Sequence, residues 1–385
     1  MWFFTPEEND LRMMVRDFAQ KELAPKASYH DATQTFNMQA FKKMGPLGLL
    51  GITAPIEYGG AQLGVLAASL VMEEFGRVCA SSALSYLAHS ILCVNNICHN
   101  GSKQQKEDFL PKLISGEWVG AMGMSEPEYG SDALGMQTRA SLQQTGAHQG
   151  KYLIKGSKIW ITNAPYADIA YVYTRTGDKK KDITTFILEK SKDHFTAGKE
   201  IHKMGMRASP TGELVFDNNV VDVSARVGNE GDSVYQLLKN LEIERITISG
   251  ISLGIAKACL EQCIKYSQER KIFGKQLKEY QLMQNIIAQM STDITMMSHM
   301  LYSIAKSIDL QKQECKGPIL AAQIKLAIPK RVTQIALDAI QLHGGYGYSQ
   351  EFPLERYARD AKLMEIGAGT NEVMVNIIAK ELLFK

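Results

Sequence analysis

Hydrophobic positions recur at helical spacing through the first 115 or so residues, give way to short β-branched and aromatic runs, and return to helical spacing from about Gly231. Thr5-Pro6-Glu7-Glu8 predicts a helix start, with Thr5 as N-cap, Pro6 at the first helical position and Glu8 closing a capping box. Leu11, Met14, Val15 and Phe18 continue that helix, and Pro25 is expected to limit it. Further helices are predicted over Met38 to Met44, Ala67 to Arg77, Ser81 to Asn95 and Lys103 to Ile114. After Gly116, the segments at 152–154, 159–162, 170–174, 184–188 and 213–216 predict strands, with Lys179-Lys180-Lys181-Asp182 at a solvated hairpin tip. Helices are predicted again near 234–268, 280–312, 318–342 and 372–383, with Gly317-Pro318 separating two of them, which suggests a four-helix bundle. The expected α+β organisation is a helical domain over 1–119, a β domain over 120–230 and the bundle over 231–385. Strands do not alternate with helices, which argues against a Rossmann arrangement.

Composition narrows the partners. Among 385 residues, 43 basic side chains face 41 acidic ones, and a net charge of +2 gives no reason to expect nucleic acid or a membrane surface. No apolar run approaches the roughly 18 residues of a membrane span, and the opening MWFFTPEEND lacks a basic leader, so a cytoplasmic protein or a processed mitochondrial matrix protein is expected. Cysteines at 79, 93, 98, 259, 263 and 315 show neither CxxC pairs nor a secreted scaffold's density, and are read as reduced thiols. Cys93, Cys98 and His99 lack the paired spacing of a zinc site, so no metal is expected. A small-molecule partner fits best.

Leu237, Leu241, Glu244, Ile248, Ile251 and Ile255 follow steps of four and three, placing Glu244 on an apolar stripe while Glu242 points away. A carboxylate among apolar side chains acquires the raised pKa of a general base for a weak carbon acid. The same position also suits a buried Glu paired with an Arg or Lys. Gly250 and Gly254 permit close approach of another helix or of a ligand. The turn from Met124 to Asp132 can bind a phosphate or polar ring atoms, or be an ordinary loop. Trp160-Ile161-Thr162-Asn163 pairs a flat aromatic with a hydroxyl, and is equally a core strand. Gln341-Leu342-His343-Gly344-Gly345-Tyr346 is a glycine-rich loop that suits either a phosphate or a helix C-cap. Arg270 and Phe273 suit a diphosphate and a stacked ring, or a surface turn.

Taken together, in this order and spacing, these segments resemble the acyl-CoA dehydrogenase family over essentially the whole chain. The resemblance implies an N-terminal helical domain, a middle β-barrel and a C-terminal four-helix bundle, assembled as a homotetramer. It implies that Met122 to Ser131 line FAD, with Met124 and Ser125 on the pyrimidine side and Ser131 near both FAD and acyl-CoA. Trp160, Ile161 and Thr162 match the segment behind the flavin ring. Arg270, Phe273, Gln281, Gln341, Leu342, His343, Gly344 and Gly345 match residues that hold the adenine and diphosphate half from a neighbouring subunit, and Thr370, Asn371 and Glu372 match C-terminal flavin contacts. Tyr129 departs from the family's preference for a small residue. Short- and medium-chain members carry the catalytic Glu where this chain has Ala368; the isovaleryl-CoA and long-chain branches carry it at the position of Glu244. The stretch Glu365 to Thr370 is most similar to the isovaleryl-CoA branch. The resemblance then implies that Glu244 takes the pro-R α-proton while the β-hydride passes to flavin N5, giving a trans-2-enoyl-CoA. It implies as well that the thioester carbonyl is held by the FAD ribityl 2′-hydroxyl and the Glu372 N–H. By the same resemblance Tyr235, Glu242, Ile243, Arg245, Ala368 and Gly369 are expected near the substrate, and electrons are expected to pass to an electron-transfer flavoprotein. A long-chain or other acyl-CoA dehydrogenase, an acyl-CoA oxidase and a non-catalytic FAD-binding relative are the rival readings.

Overall fold

A computed structural model describes residues 4–310 and 317–384. Cys315, the end of the helix expected over 280–312, and the first three residues lie outside the described residues. The helical part contains α1 (Pro6–Phe18), α2 (Ala27–Thr33), α3 (Met38–Met44), α4 (Val65–Gly76), α5 (Ala80–Tyr86), α6 (Asn95–Asn100) and α7 (Lys103–Ser115). The Thr5 capping box forms: Thr5 accepts from the Glu8 N–H, and Glu8 accepts from that of Thr5. Pro25 does not end the first helical run. After α1 the chain continues through a π turn over Ala19–Leu23 and a 3₁₀ turn over Ala24–Lys26, where Pro25 sits in the first turn and removes no needed donor. The helix expected over 81–95 spans α5, a π segment at Leu87–Val94 and α6. Insertion of wider turns within a helix often accompanies a functional site, and this one presents Leu87, Ala88 and Leu92 to a cavity.

The β part holds β1 (Gly120–Gly123), β2 (Arg139–Leu142), β3 (Lys151–Thr162), β4 (Ile169–Arg175), β5 (Ile183–Glu189), α8 (Lys190–Asp193), β6 (Thr196–Ala197), β7 (Thr211–Asp222) and β8 (Arg226–Val227). They form one sheet in the order β6-β7-β3-β2-β4-β5-β8, with β1 added in parallel to β4 so that Met122 lies opposite Tyr171. Ala121, Tyr152, Ile154, Val172, Phe186, Leu214 and Phe216 build a separate core inside its curve. Lys179–Asp182 falls between β4 and β5, at the expected hairpin tip.

The last part comprises α9 (Ser233–Glu269), the hairpin β9 (Lys271–Ile272) with β10 (Lys275–Gln276), α10 (Gln281–Asp309), α11 (Gly317–His343), α12 (Leu354–Met364) and α13 (Asn371–Leu383). Helix α12 is absent from the expected set. Its buried face carries Arg356 and Asp360 beside Leu354, Tyr357 and Ala361, and those charges break the apolar pattern. Gly250 and Gly254 serve helix packing: a Cβ at Gly254 would stand 2.2 Å from the Glu73 carbonyl oxygen, so α4 and α9 meet backbone to backbone. Among the described residues no helix is long and apolar enough to cross a membrane, and no cluster of His, Cys, Asp or Glu could hold a metal. Among the described residues five cysteines are buried free thiols.

His89 ties β1 to the helical part. Its Nε2 donates to the Leu113 carbonyl at 3.0 Å, and its Nδ1 accepts from the Gly120 N–H at 2.9 Å. The N–H acceptor role requires a neutral ring, and burial pushes the His89 pKa down to about 4. Because the unfolded ring titrates near 6.5, the unfolded state binds more protons below that pH, so stability present above it is lost as pH falls through the folded value. A drop of roughly 3 kcal/mol between those limits is expected. It is checked by urea melts of wild type and His89→Gln from pH 7 to 4: the two should converge on acidification, and parallel curves would refute the role.

Candidate active site

A cavity of about 660 Å³ lies where the three parts of the chain meet. Leu84, Leu87, Ala88 and Leu92 wall it from the helical part, and Met122, Met124, Ser125, Ser131, Trp160, Ile161 and Thr162 from the sheet. Leu241, Glu244, Arg245 and Ile248 enter from α9, and Ala368, Gly369, Thr370 and Val373 from the loop and start of α13.

Glu244 is the acid of this cavity. Leu237, Leu241, Ile248, Ile251 and Ile255 are all buried along the same helix stripe, as helical spacing requires. Glu244 is 6% exposed, and its Oε2 has no hydrogen-bond partner among the described residues. Burial raises its pKa to about 7, against the opposing charges of Arg245 and Lys325. The carboxylate is therefore buried with cations in range, but its free oxygen is left to meet a ligand. The alternative of a consumed structural ion pair does not describe it, since no salt bridge to Glu244 forms among the described residues.

The sheet side is built by a bulge. Register between β3 and β7 shifts between Lys158 and Ile161, and Trp160 stands at φ 62°, where a bulky side chain is strained. The bulge turns the indole outward, 60% exposed on the cavity wall, while Ile161 returns to the core. The Ile159 N–H donates to the Ser125 carbonyl at 2.9 Å, docking the 124–131 turn against this bulge. Beneath it lies a pair that sequence reading missed. Lys158, fully buried, donates to Glu126 at 2.8 Å and to the Met124 carbonyl at 3.2 Å, and Glu126 accepts the N–H groups of Gln137 at 2.5 Å and Thr138 at 2.9 Å. Burial pushes the Lys158 pKa down to about 8 against the pull of Glu126; burial opposes the Glu126 charge too, but Lys158 and the Gln137 N–H hold its carboxyl below the usual range. Tyr129 is accommodated over Gly135, where a Cβ would stand 2.5 Å from the ring.

A second cavity of about 810 Å³ is lined by Arg270, Phe273, Gln281, Gln341, Leu342, His343, Gly344 and Gly345. The structure thus brings all eight residues expected at the adenine and diphosphate half into one place, with no lining residue shared with the first cavity. His343 stacks on Tyr266 at 4.2 Å, and its Nδ1 donates to the Ala339 carbonyl at 2.9 Å, leaving buried Nε2 as an unpartnered acceptor. Phe273 sits at φ 45° between β9 and β10 and is 95% exposed.

Five expected residues do not line the first cavity. Tyr235 is 74% exposed near the start of α9. Glu242 reaches Lys239 at 3.4 Å on another face of the helix, and Ile243 packs against the core. Asn371 donates to Glu365 at 2.8 Å, and the Glu372 side chain is exposed, although both stand at the start of α13 between the lining residues Thr370 and Val373.

Comparison with known proteins gives three domain matches: acyl-CoA dehydrogenase N-terminal domain over 5–117, middle domain over 121–219 and C-terminal domain over 231–383. The chain is 43% identical over 383 residues to the mitochondrial isovaleryl-CoA dehydrogenase of Pongo abelii, covering 97% of this chain and 88% of that protein. It is similar to butyryl-CoA dehydrogenase from Megasphaera elsdenii at TM-score 0.94 and 34% identity over 100% of both chains. A chain solved in work on the electron transferring flavoprotein of Acidaminococcus fermentans matches at TM-score 0.95 and 35% identity, again over 100% of both.

Proposed function

This chain belongs to the acyl-CoA dehydrogenase family, and from that premise we propose that it desaturates a short or branched acyl-CoA, isovaleryl-CoA foremost, with Glu244 as the base and FAD as the cofactor. Electrons leave to an electron-transfer flavoprotein, and the working unit is a homotetramer. The observation that carries the reading is Glu244 itself, an acid with a free oxygen on an apolar cavity wall, opposite a loop in which Ala368 stands.

The residues fit FAD. Met124, Ser125, Trp160, Ile161 and Thr162 offer a flat aromatic, hydroxyls and strand backbone on one side of the first cavity. Arg270, the His343 acceptor and Phe273 offer charge, polarity and a stacking face in the second. Two separate cavities suit one extended dinucleotide if each site is completed by a second copy of the chain, and a phenylalanine as exposed as Phe273 supports such a contact. When bound, FAD supplies the acceptor for the β-hydride.

The chain's own residues supply the rest. Glu244 takes the α-proton at Oε2; with its pKa at about 7 it is half ionised at neutral pH and strong enough to serve a weak carbon acid. Thr370 caps α13 by accepting from the Val373 N–H at 3.3 Å, and the Glu372 N–H, in the same first turn, has no backbone carbonyl to bond within the helix. That donor polarises the thioester carbonyl and acidifies the α-carbon. Leu84, Leu87, Ala88, Leu92 and Ile248 exclude water from the acyl group. Ser131 and Arg245 contact the substrate at the cavity wall, with Ala368 and Gly369 leaving it room.

Anaerobic flavin reduction across straight and branched acyl-CoA esters tests the substrate. Isovaleryl-CoA should exceed palmitoyl-CoA in kcat/KM by at least about tenfold, the order of discrimination an apolar pocket provides. Equal rates, or reoxidation of the reduced enzyme by oxygen with peroxide release faster than by electron-transfer flavoprotein, would defeat the reading.

A further inference from the structure

Lys325 is a buried ammonium behind the cavity wall for which the reaction above has no use. It sits on α11 between Ile324 and Leu326, with 0% exposure. Its Nζ donates to the Met364 carbonyl at 2.5 Å and to the Gly369 carbonyl at 3.2 Å. Arg245 Nε donates to the neighbouring Ala368 carbonyl at 3.3 Å. Two cations from two helices thus hold successive carbonyls of one loop. Both residues stand at positive φ, Ala368 at 57° and Gly369 at 95°, a conformation that glycine adopts freely and alanine does not. For Ala368 this conformation costs about 1 to 2 kcal/mol, and it persists only where surrounding contacts enforce it. The loop faces Glu244 across the same cavity.

We propose that Lys325 is a positioning residue for the dehydrogenation: it pins the Ala368-Gly369 turn that shapes the acyl side of the cavity, and its charge holds Glu244 ready to ionise. The inference rests on the reading of Glu244 as base. An ammonium so deeply buried has few charges to answer, and those around the pair are few. On α9 stand Arg245, which also favours ionised Glu244, and Glu242, which acts on Arg245. From β4, Tyr173 feels the Glu244 charge, and next to α12 Glu365 adds to the field at Lys325. His202, Lys203, Arg359 and Lys362 complete the charged groups of the cavity lining; Arg359 is bound to Asp31 and Glu355, and Lys362 to Glu365. Burial lowers the Lys325 pKa to about 8 while Glu244 holds it up, so at neutral pH the lysine is still charged as the glutamate ionises.

Removing the cation therefore raises the pH at which Glu244 becomes a base. The test follows the pH dependence of anaerobic flavin reduction by isovaleryl-CoA in the holoenzymes of wild type, Lys325→Met, Lys325→Gln and Lys325→Arg. Both uncharged variants should shift the rising limb upward by about one pH unit or more, giving roughly tenfold slower reduction at pH 6.5 that recovers towards pH 9. Lys325→Arg should restore the wild-type midpoint. If Lys325→Met fails to retain flavin, Lys325→Gln, which keeps a donor for one carbonyl but no charge, carries the same expectation. A midpoint unmoved in the uncharged variants, whatever their rate, overturns the inference. Failure of the underlying reading looks different: the wild-type profile would then show no rising limb that disappears in Glu244→Gln.

Discussion

Replacing Glu244 with glutamine is expected to leave a yellow protein that acyl-CoA no longer bleaches, with anaerobic reduction slowed by at least about a thousandfold. Glutamine keeps the shape and polarity of the side chain, so the apolar wall of Leu241 and Ile248 stays packed and the flavin region is untouched. The same change should stabilise the fold at alkaline pH. Burial raises the folded pKa of Glu244 to about 7 from its ordinary value of 4.5, so the folded state binds the extra proton between those limits and stability falls as pH rises through them. By pH 8 the wild type carries a penalty of roughly 3 kcal/mol that the amide does not. Melting wild type and Glu244→Gln side by side at pH 5 and pH 8 checks this: the variant should gain several degrees on the wild type only at the higher pH. Full bleaching by isovaleryl-CoA would rule out Glu244 as base, and an equal melting difference at both pH values would show that its charge is not a burden on the fold.

Breaking the Lys158–Glu126 pair should have the largest effect on stability. Lys158→Met leaves a carboxylate, 5% exposed, holding two backbone N–H groups and no counter-charge, a loss on the order of 3–5 kcal/mol. The turn from Met124 to Ser131 is anchored to the bulge partly through this pair, because Lys158 also donates to the Met124 carbonyl. Loss of flavin is therefore expected along with loss of stability. The flavin-to-protein absorbance ratio after gel filtration should fall, and added FAD should recover part of the melting temperature by mass action. A variant with wild-type flavin content and melting temperature would show the pair to be dispensable.

These two sites differ in how much of them the chain displays locally. Glu244 is legible because a helix repeats every 3.6 residues, and steps of four and three from Leu237 to Ile255 put it on the buried face. Lys158 is not. A lysine within a polar-interrupted strand reads as facing solvent, and only the curl of the sheet over the 124–138 segment buries it against Glu126, 32 residues away in sequence. Lys325 escapes for a related reason, since the acceptors it meets are carbonyls of a loop about 40 residues further on. Helix α12 was obscured because its buried positions include Arg356 and Asp360, and a charge pattern is a poor signal of burial when the partners are distant. The pocket contributed by Leu84, Leu87, Ala88 and Leu92 looked like ordinary core; the π turn that aims it at the cavity leaves no mark in the periodicity.

The sequence alone determined the succession of a helical, a β and a second helical part, the capped start of α1, the apolar stripe carrying Glu244 and the absence of a carboxylate at Ala368. Each of these depends on residues within a few turns of one another, where backbone geometry sets the spacing. Tertiary structure decided that Glu244 keeps a free oxygen, that Trp160 turns outward at a bulge, that the Arg270 and Gln341 segments share a cavity apart from the first, and that Lys325 and Arg245 hold the Ala368-Gly369 loop that lines the Glu244 cavity. The physical reason is that desolvation and charge pairing act over a few ångströms in space, and the groups that govern them in this chain are brought together from helices, strands and loops far apart along it.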